Sequence, residues 1–399
     1  MTASLTPRRD RIRRALELLR NETTDQFDDV VGFTAHEFVD PELAQRERDL
    51  IFGSVPSIVA HSSEIAHPYD FITVAMPRNN IIVVRQKDGG VKAFVNLCRH
   101  RGALLEKEEK GRCRFFSCPY HRWSYDPDGS LRMITRDNTF GTIERKKYGL
   151  VEIPCEERHG LVWVVDNAQA KIDVAAWLGP EMDEILAGYG IDKLVCARVG
   201  TFDEPTNWKI MQDAFLDGYH IQYAHPNTAG KVIHTNVMAF EDFGRHCRFI
   251  APRKSIDRWL EEDPGDTPLD PYVTETHFLL PNSTLLRQPD HFQLLTFRPD
   301  QRDPAKSRME MRLMVPTVED SGLTEEHWNH LWDKNMDILI SVLHDEDFPI
   351  LRDSQRGMAS ADAGDMLLGR NEVANQVFRR EIKKLLADGS VADGATVNS

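Results

Sequence analysis

Cys98-Arg99-His100 is followed, after a spacer of 17 residues, by Cys118-Pro119-Tyr120-His121. The pattern is C-x-H, then C-x-x-H. Sulfur and imidazole nitrogen together suit zinc and iron–sulfur centres. A zinc finger places both sulfurs on one knuckle and both histidines on another segment. Here each knuckle supplies one sulfur and one nitrogen. Gly102 and Gly111 give the intervening chain turning freedom. Chance is the bland alternative in a chain with 15 His and 6 Cys, but the doubled order and spacing weigh against it.

The distribution fits a Rieske centre, a [2Fe-2S] cluster with two cysteines on one iron and two histidines on the other. Two similar loops deliver both sulfurs to one side and both imidazoles to the other. Tetrahedral zinc held by the same four residues is the competing reading. Imidazole ligands raise the cluster potential to roughly −150 to +300 mV, which suits a one-electron relay. A relay needs a donor and an acceptor. Cys113, between the knuckles, fits neither and reads as an ordinary thiol.

The surroundings of the knuckles read as a small all-β domain over 46–166. Segments 81–85 and 91–95 flank Lys87-Asp88-Gly89-Gly90, a hairpin signal. Asp126-Pro127-Asp128-Gly129 is a turn, and 160–165 reads as a buried strand. Residues 1–45 begin with an Arg-rich helix expected to pack on the second domain. That domain, 167–388, mixes strands at 276–280, 284–287, 292–297 and 309–315 with amphipathic helices at 325–343 and 371–386. Its class is α+β, with helices on an antiparallel sheet. Residues 389–399 are small and polar and read as a frayed tail.

An acceptor is sought in that second domain. The segment 208–224 reads as a helix carrying Asp217 and His220, with His225 just beyond it. Two histidines five apart lie about 140° apart on an ideal helix, so the helix must be distorted for both to face one ion. Gly218 and Pro226 make that distortion reasonable. A carboxylate would complete a 2-His-1-carboxylate triad, with positions left open on iron. The acidic run after the long helix offers Asp345, Glu346, Asp347 and Asp353.

Together these residues resemble the α subunit of Rieske non-haem iron oxygenases, the aromatic-ring-hydroxylating family. Cys98-x-His100 and Cys118-Pro-Tyr-His121-x-Trp123 match its cluster motif. Asn207-Trp208-Lys209 and Asp217-x-Tyr219-His220-x₄-His225 match its iron motif. Glu346-Asp347-Phe348 resembles its carboxylate segment, which implies Asp347 as third ligand. Many members carry Glu-Asn where this chain has Asp213-Ala214, so that polar pair's role is not carried over. The resemblance implies a helix-grip catalytic domain, a [2Fe-2S] cluster, mononuclear Fe(II) and O₂. It implies a separate ferredoxin or flavin reductase, and a head-to-tail trimer, with or without a β subunit. Asp217 would then join the cluster of one subunit to the iron of the next. The implied reaction is hydroxylation or cis-dihydroxylation of an aromatic substrate, the alternative being N- or O-demethylation.

Substrate contacts are sought at Phe215, Leu216, Ile221, Gln222, Met238, Leu279, Phe292 and Leu294, although apolar stripes more often form core. Arg287 or His291 would meet a substrate carboxylate. No G-x-G-x-x-G fingerprint is present, so nucleotide and flavin sites are expected on a partner. Lys plus Arg is 49 against 63 Asp plus Glu, a net charge of −14 that disfavours nucleic acid. No apolar run suits a membrane span, no secretory signal is visible, and scattered cysteines fit the reducing cytosol.

Overall fold

The computed structural model describes the backbone of residues 8–393 and side chains through 387. The first helix, α1 (Arg8–Arg20), buries Ile12, Ala15 and Leu16 against Ala239, Ile250 and Val273 of the large sheet. The next, α2 (Pro41–Glu47), starts with proline at its first position, and the Asp40 side chain accepts from the Glu42 N–H. Glu47 closes that helix and is buried.

Three small sheets follow. The five-stranded one orders Glu152–Ile153, Val91–Val95, Asn80–Arg85, Asp70–Ala75 and Lys110–Arg112. A three-stranded one joins Phe116–Ser117, Ser124–Tyr125 and Leu131–Met133, and another joins Cys155–Arg158, Leu161–Val164 and Ser57–His61. Strand Asn80–Arg85 is covered on both faces, which is why it reads as an unbroken apolar run. Phe71, Val84, Phe94, Trp123 and Tyr125 form one core with Cys98 and Cys118. Gly129 ends the expected turn at φ +87°, where an added Cβ would stand 2.4 Å from the Phe94 ring.

After α3 (Val174–Ala187) comes a seven-stranded antiparallel sheet. Its order is Val195–Glu204, Ser307–Val315, Phe292–Pro299, Ser283–Arg287, Val273–Leu279, Cys247–Pro252, Ala239–Asp242. Side chains alternate between its faces, as the strand period requires. Phe292, Leu294 and Met314 pack with α3 and with Trp163 of the β-domain. Leu295, Phe297, Met309, Met311 and Leu313 pack on the opposite face beneath the helices that carry the candidate ligands.

Those helices are α4 (Trp208–Asp213), the single-turn α5 (Ile221–Ala224), the short α6 (Val318–Ser321), α7 (Glu325–Val342), α8 (Phe348–Met358) and α9 (Val373–Asp393). In α7, Trp328, Trp332 and Met336 recur every four residues and are its buried stripe. One π-helical turn, Leu343–Asp347, joins α7 to α8. The backbone of α9 continues past the expected end at 386 to Asp393. The expected single helix over 208–224 is corrected: α4 ends at Asp213 and the helix resumes only at Ile221. Among the described residues no helix is long and apolar enough to cross a membrane.

His246, in the turn before strand Cys247–Pro252, and His277, within the sheet, are wholly buried, and burial pushes both down to about 4. His246 Nδ1 accepts from the Leu280 N–H at 3.1 Å, and its Nε2 reaches the Trp177 carbonyl at 3.0 Å. His277 lies 2.8 Å from the Tyr189 hydroxyl and 3.2 Å from the Leu285 carbonyl. A folded-state value below the unfolded 6.5 means the native state binds fewer protons in acid. Stability is therefore full above pH 6.5 and declines as pH falls toward 4, by about 2 to 3 kcal/mol per histidine at pH 4.5. Urea midpoints between pH 7 and 4.5 should show this slope, and His246→Gln should flatten it. An unchanged slope in the variant would refute the assignment.

Candidate metal centres

The two knuckles are built alike. Cys98 N–H donates to the Ala103 carbonyl at 2.8 Å, and Gly102 N–H to the Cys98 carbonyl at 2.9 Å. Cys118 N–H donates to the Trp123 carbonyl at 2.8 Å, and Arg122 N–H to the Cys118 carbonyl at 3.0 Å. The fourth residue after each cysteine is left-handed: Gly102 at φ +77° and Arg122 at φ +61°. Glycine accepts that conformation freely, whereas arginine adopts it under tertiary constraint.

These loops bring all four expected residues to one place. The His100 and His121 rings lie 4.6 Å apart between centroids. Trp123 stacks on His100 at 4.9 Å and an interplanar angle of 8°. Cys98 and Cys118 are buried, and the Cys98 sulfur lies 3.4 Å from the Tyr125 hydroxyl. Burial raises the Cys98 thiol, hydrogen bonds from Tyr125 and the His100 backbone oppose it, and Cys118 beside it raises it further. Both imidazole Nδ1 atoms are buried with no hydrogen-bond partner among the described residues. Buried polar atoms are rarely left so, and two orphaned nitrogens beside two crowded thiols fit a [2Fe-2S] cluster. None of the six cysteines forms a disulfide, and Cys113 is an ordinary half-buried thiol, pushed up to about 11 by burial and Glu106.

The second centre arises where α4 stops. Ligand atoms of His220, His225 and Asp347 all lie within 4.8 Å of one another. Among the described residues this is the only such group of His, Cys, Asp and Glu side chains. The Asp217 carboxylate accepts the His220 backbone N–H at 2.9 Å and lies 3.1 Å from the ring's Nδ1. Glu346 Oε2 lies 2.6 Å from His225 Nδ1 and accepts the Thr228 hydroxyl at 2.6 Å. Each Nδ1 is thus tied to a carboxylate, and each Nε2 is left to bind a metal. His225 Nε2 stands 3.1 Å from Asp347 Oδ1. Burial lowers His225, but Asp347 and Glu346 outweigh it and hold the imidazole above its ordinary range. The donor set, two imidazoles and one carboxylate on one side, suits non-haem Fe(II) with open positions.

Asp345 and Asp353 are elsewhere, bonded to Ser341 and Arg356 on the surface. Sequence reasoning offered Glu346 as a ligand, but its oxygen is engaged by His225 Nδ1 and Thr228. Removing that support in Glu346→Gln should weaken Fe(II) binding about 10- to 100-fold with cluster content unchanged. Fe(II) titration of the stripped second site reads this, and an affinity equal to wild type would dismiss the role.

A cavity of about 240 Å³ opens beside His220, Asp217 and Asp347. Phe33, Phe38, Ile210, Ala214 and Met358 make it apolar, and Asp213, Glu372 and Arg379 add charge. None of the expected substrate contacts lines it. Leu216, Met238, Leu279, Phe292 and Leu294 are core residues. Phe215 packs on Phe297, and Gln222 accepts from Thr235. Arg287 faces Glu275 and Asp270, and His291 pairs with Asp290. Although the family's Glu-Asn pair is missing, Asp213 does present a polar group here. Phe33, Phe38 and Arg379 come from segments far away in sequence, and no local pattern marks them.

Residues 56–144 match the model of the Rieske [2Fe-2S] domain, and 192–388 that of the ring hydroxylating alpha subunit catalytic domain. The chain is 31% identical over 198 residues to the carnitine monooxygenase oxygenase subunit of Acinetobacter baumannii, covering 49% of this chain and 53% of that one. It is 34% identical over 198 residues to the large oxygenase component of a Ralstonia naphthalene 1,2-dioxygenase system, covering 47% and 43%. The match thus spans about half the length of these relatives. Among solved structures, a quaternary ammonium Rieske monooxygenase with L-carnitine superposes with a TM-score of 0.75 at 22% identity, covering 90% of this chain and 96% of that one. A naphthalene 1,2-dioxygenase from Rhodococcus superposes with a TM-score of 0.70 at 19% identity, covering 95% and 98%.

Proposed function

Because the chain belongs to the family of ring-hydroxylating α subunits with a Rieske [2Fe-2S] domain, we propose that it is the terminal oxygenase of a multicomponent system. Electrons come from a separate ferredoxin or flavin reductase, and O₂ is the oxidant. The substrate is an aromatic compound that becomes hydroxylated or cis-dihydroxylated. The observation that carries this reading is the convergence of His220, His225 and Asp347, with both Nδ1 atoms already engaged.

Cys98, Cys118, His100 and His121 would hold the cluster, and His220, His225 and Asp347 the Fe(II). When bound, the cluster supplies single electrons and the Fe(II) supplies open positions for O₂ and substrate. The chain's own residues do the rest. Asp217 holds the His220 Nδ1 proton and fixes the ring. Glu346 and Thr228 do the same for His225. Phe33, Phe38, Ile210 and Met358 keep bulk water from one flank. In a head-to-tail trimer, Asp217 would also meet His121 of the partner subunit, giving electrons a short route between centres.

Demethylation of an N-methyl compound is the second reading. It is favoured by the cavity wall, where Asp213, Asp217 and Glu372 stand against one Lys or Arg side chain, Arg379, among the described lining residues. The test is metal and sulfide analysis of anaerobically prepared protein, followed by turnover under ¹⁸O₂ with reductant. One mononuclear iron beside a two-iron, two-sulfide cluster supports the oxygenase. Two labelled oxygens in the product mean dihydroxylation, one means hydroxylation, and an unlabelled demethylated product with the label in released formaldehyde means demethylation. Zinc without sulfide overturns both readings.

A further inference from the structure

Helix α4 stops where α9 grips it. Asn375 Nδ2 donates to the Asp213 backbone carbonyl at 2.9 Å and reaches the Asp213 carboxylate at 3.3 Å. Arg379 Nη2 pairs with the same carboxylate. Arg379 Nη1 stands 3.5 Å from Glu37, and the guanidinium lies 4.9 Å from the Phe33 ring and 4.8 Å from the Phe38 ring. The side chain is only 3% exposed, and its Nε has no hydrogen-bond partner among the described residues. A buried, incompletely bonded arginine is costly, and hydrophobic residues of similar volume would often be at least as stable in its place. Its position therefore points to a role beyond packing.

The Asp213 carbonyl also accepts the Leu216 N–H at 3.1 Å, so one atom ties α9 to the start of the loop at 214–220. That loop carries Asp217 and His220. In an unbroken helix His220 and His225 would point about 140° apart. His225, at φ −120° and ψ +43°, has already left the single turn α5, which frees it from that angle, and the stop after Asp213 sets where the loop bearing Asp217 and His220 begins.

We infer that Arg379 and Asn375 are positioning residues for the His220–His225–Asp347 centre: their hold on Asp213 fixes where α4 ends and how the loop bearing Asp217 and His220 leaves it. The inference rests on reading that triad as a metal site. Neither residue touches the metal position, so each acts through Asp213.

The test uses the full chain with its cluster assembled and the second site stripped, then titrated with Co(II) alone. Cobalt's visible bands report ligand geometry, and the cluster's absorbance checks the other domain. Arg379→Leu should weaken Co(II) binding about tenfold or more and shift its bands, with cluster content unchanged. Arg379→Lys keeps the charge and should restore most of the affinity. Should Arg379→Leu not fold, Asp213→Asn, which conserves size but removes the ion pair, should show the same shift to a smaller extent. Wild-type affinity and bands in Arg379→Leu, or in Asp213→Asn if that stands in for it, would overturn the clamp. Unsubstituted protein that takes up no Co(II) would instead overturn the reading of the triad.

Discussion

His220→Ala or Asp347→Asn should remove about one iron per chain, leave the cluster spectrum untouched, and abolish product formation. The expected loss is on the order of a thousandfold or more, because a metal that polarises O₂ and substrate contributes several kcal/mol to the barrier. The two variants differ in their side effects. His220 is only partly buried and its removal frees Asp217, so the fold should barely notice. Asp347 is buried against His225, and the Asn variant keeps its volume but removes the negative charge. Iron and sulfide analysis, with product formation, reads both. Turnover surviving with the second iron absent would refute the triad as the reaction centre.

Cys118→Ser is expected to cost more in structure. Its sulfur lies in the same core as Cys98, Phe116, Trp123 and Tyr125. A metal group bound only by the folded state contributes its binding free energy to that state, on the order of 10 kcal/mol for structural sites. Without the cluster, both knuckles retain unpaired imidazoles and a lone buried thiol. The β-domain should then melt well below the seven-stranded sheet, which has its own cores. Colour, acid-labile sulfide and a two-step melt followed by circular dichroism test this. Cys113→Ser, outside the cluster, is the control and should change stability by about 1 kcal/mol or less. A Cys118→Ser protein that keeps its cluster and a single melt would refute the assignment.

Legibility in the sequence followed the range of the interactions. The knuckle residues could be read directly, because each loop is local and its own hydrogen bonds set its shape. The strands at 276–280, 284–287, 292–297 and 309–315 and the helix at 325–343 could be read from their alternation and stripe, and the observed strands extend further. The proposed third ligand, Asp347, could not be separated from Asp345, Glu346 and Asp353 by residue type; the family resemblance pointed to it. The helix over 208–224 was read too long because its stop is tertiary: Asn375 and Arg379 sit more than 150 positions away. For the same reason the cavity wall was missed. Leu279, Phe292 and Leu294 have the right hydrophobicity for a pocket, but the sheet turns them toward α3 and the β-domain.

The wide turn at Leu343–Asp347 has a consequence for how this site tolerates change. A π turn amounts to one residue inserted into an otherwise regular helix. Its ladder is restored not by any substitution but by deleting a single codon within it. That deletion would return the segment to 3.6 residues per turn, leaving α8 close to its present phase and removing the widened turn that contains Asp347. Asp347 would lose the wide turn that sets its approach to His225, while the α7 stripe of Trp328, Trp332 and Met336 would remain seated on the sheet. The surplus residue thus separates two demands on one continuous rod. Upstream of it the core sets the packing; within the wide turn the approach to His225 sets it.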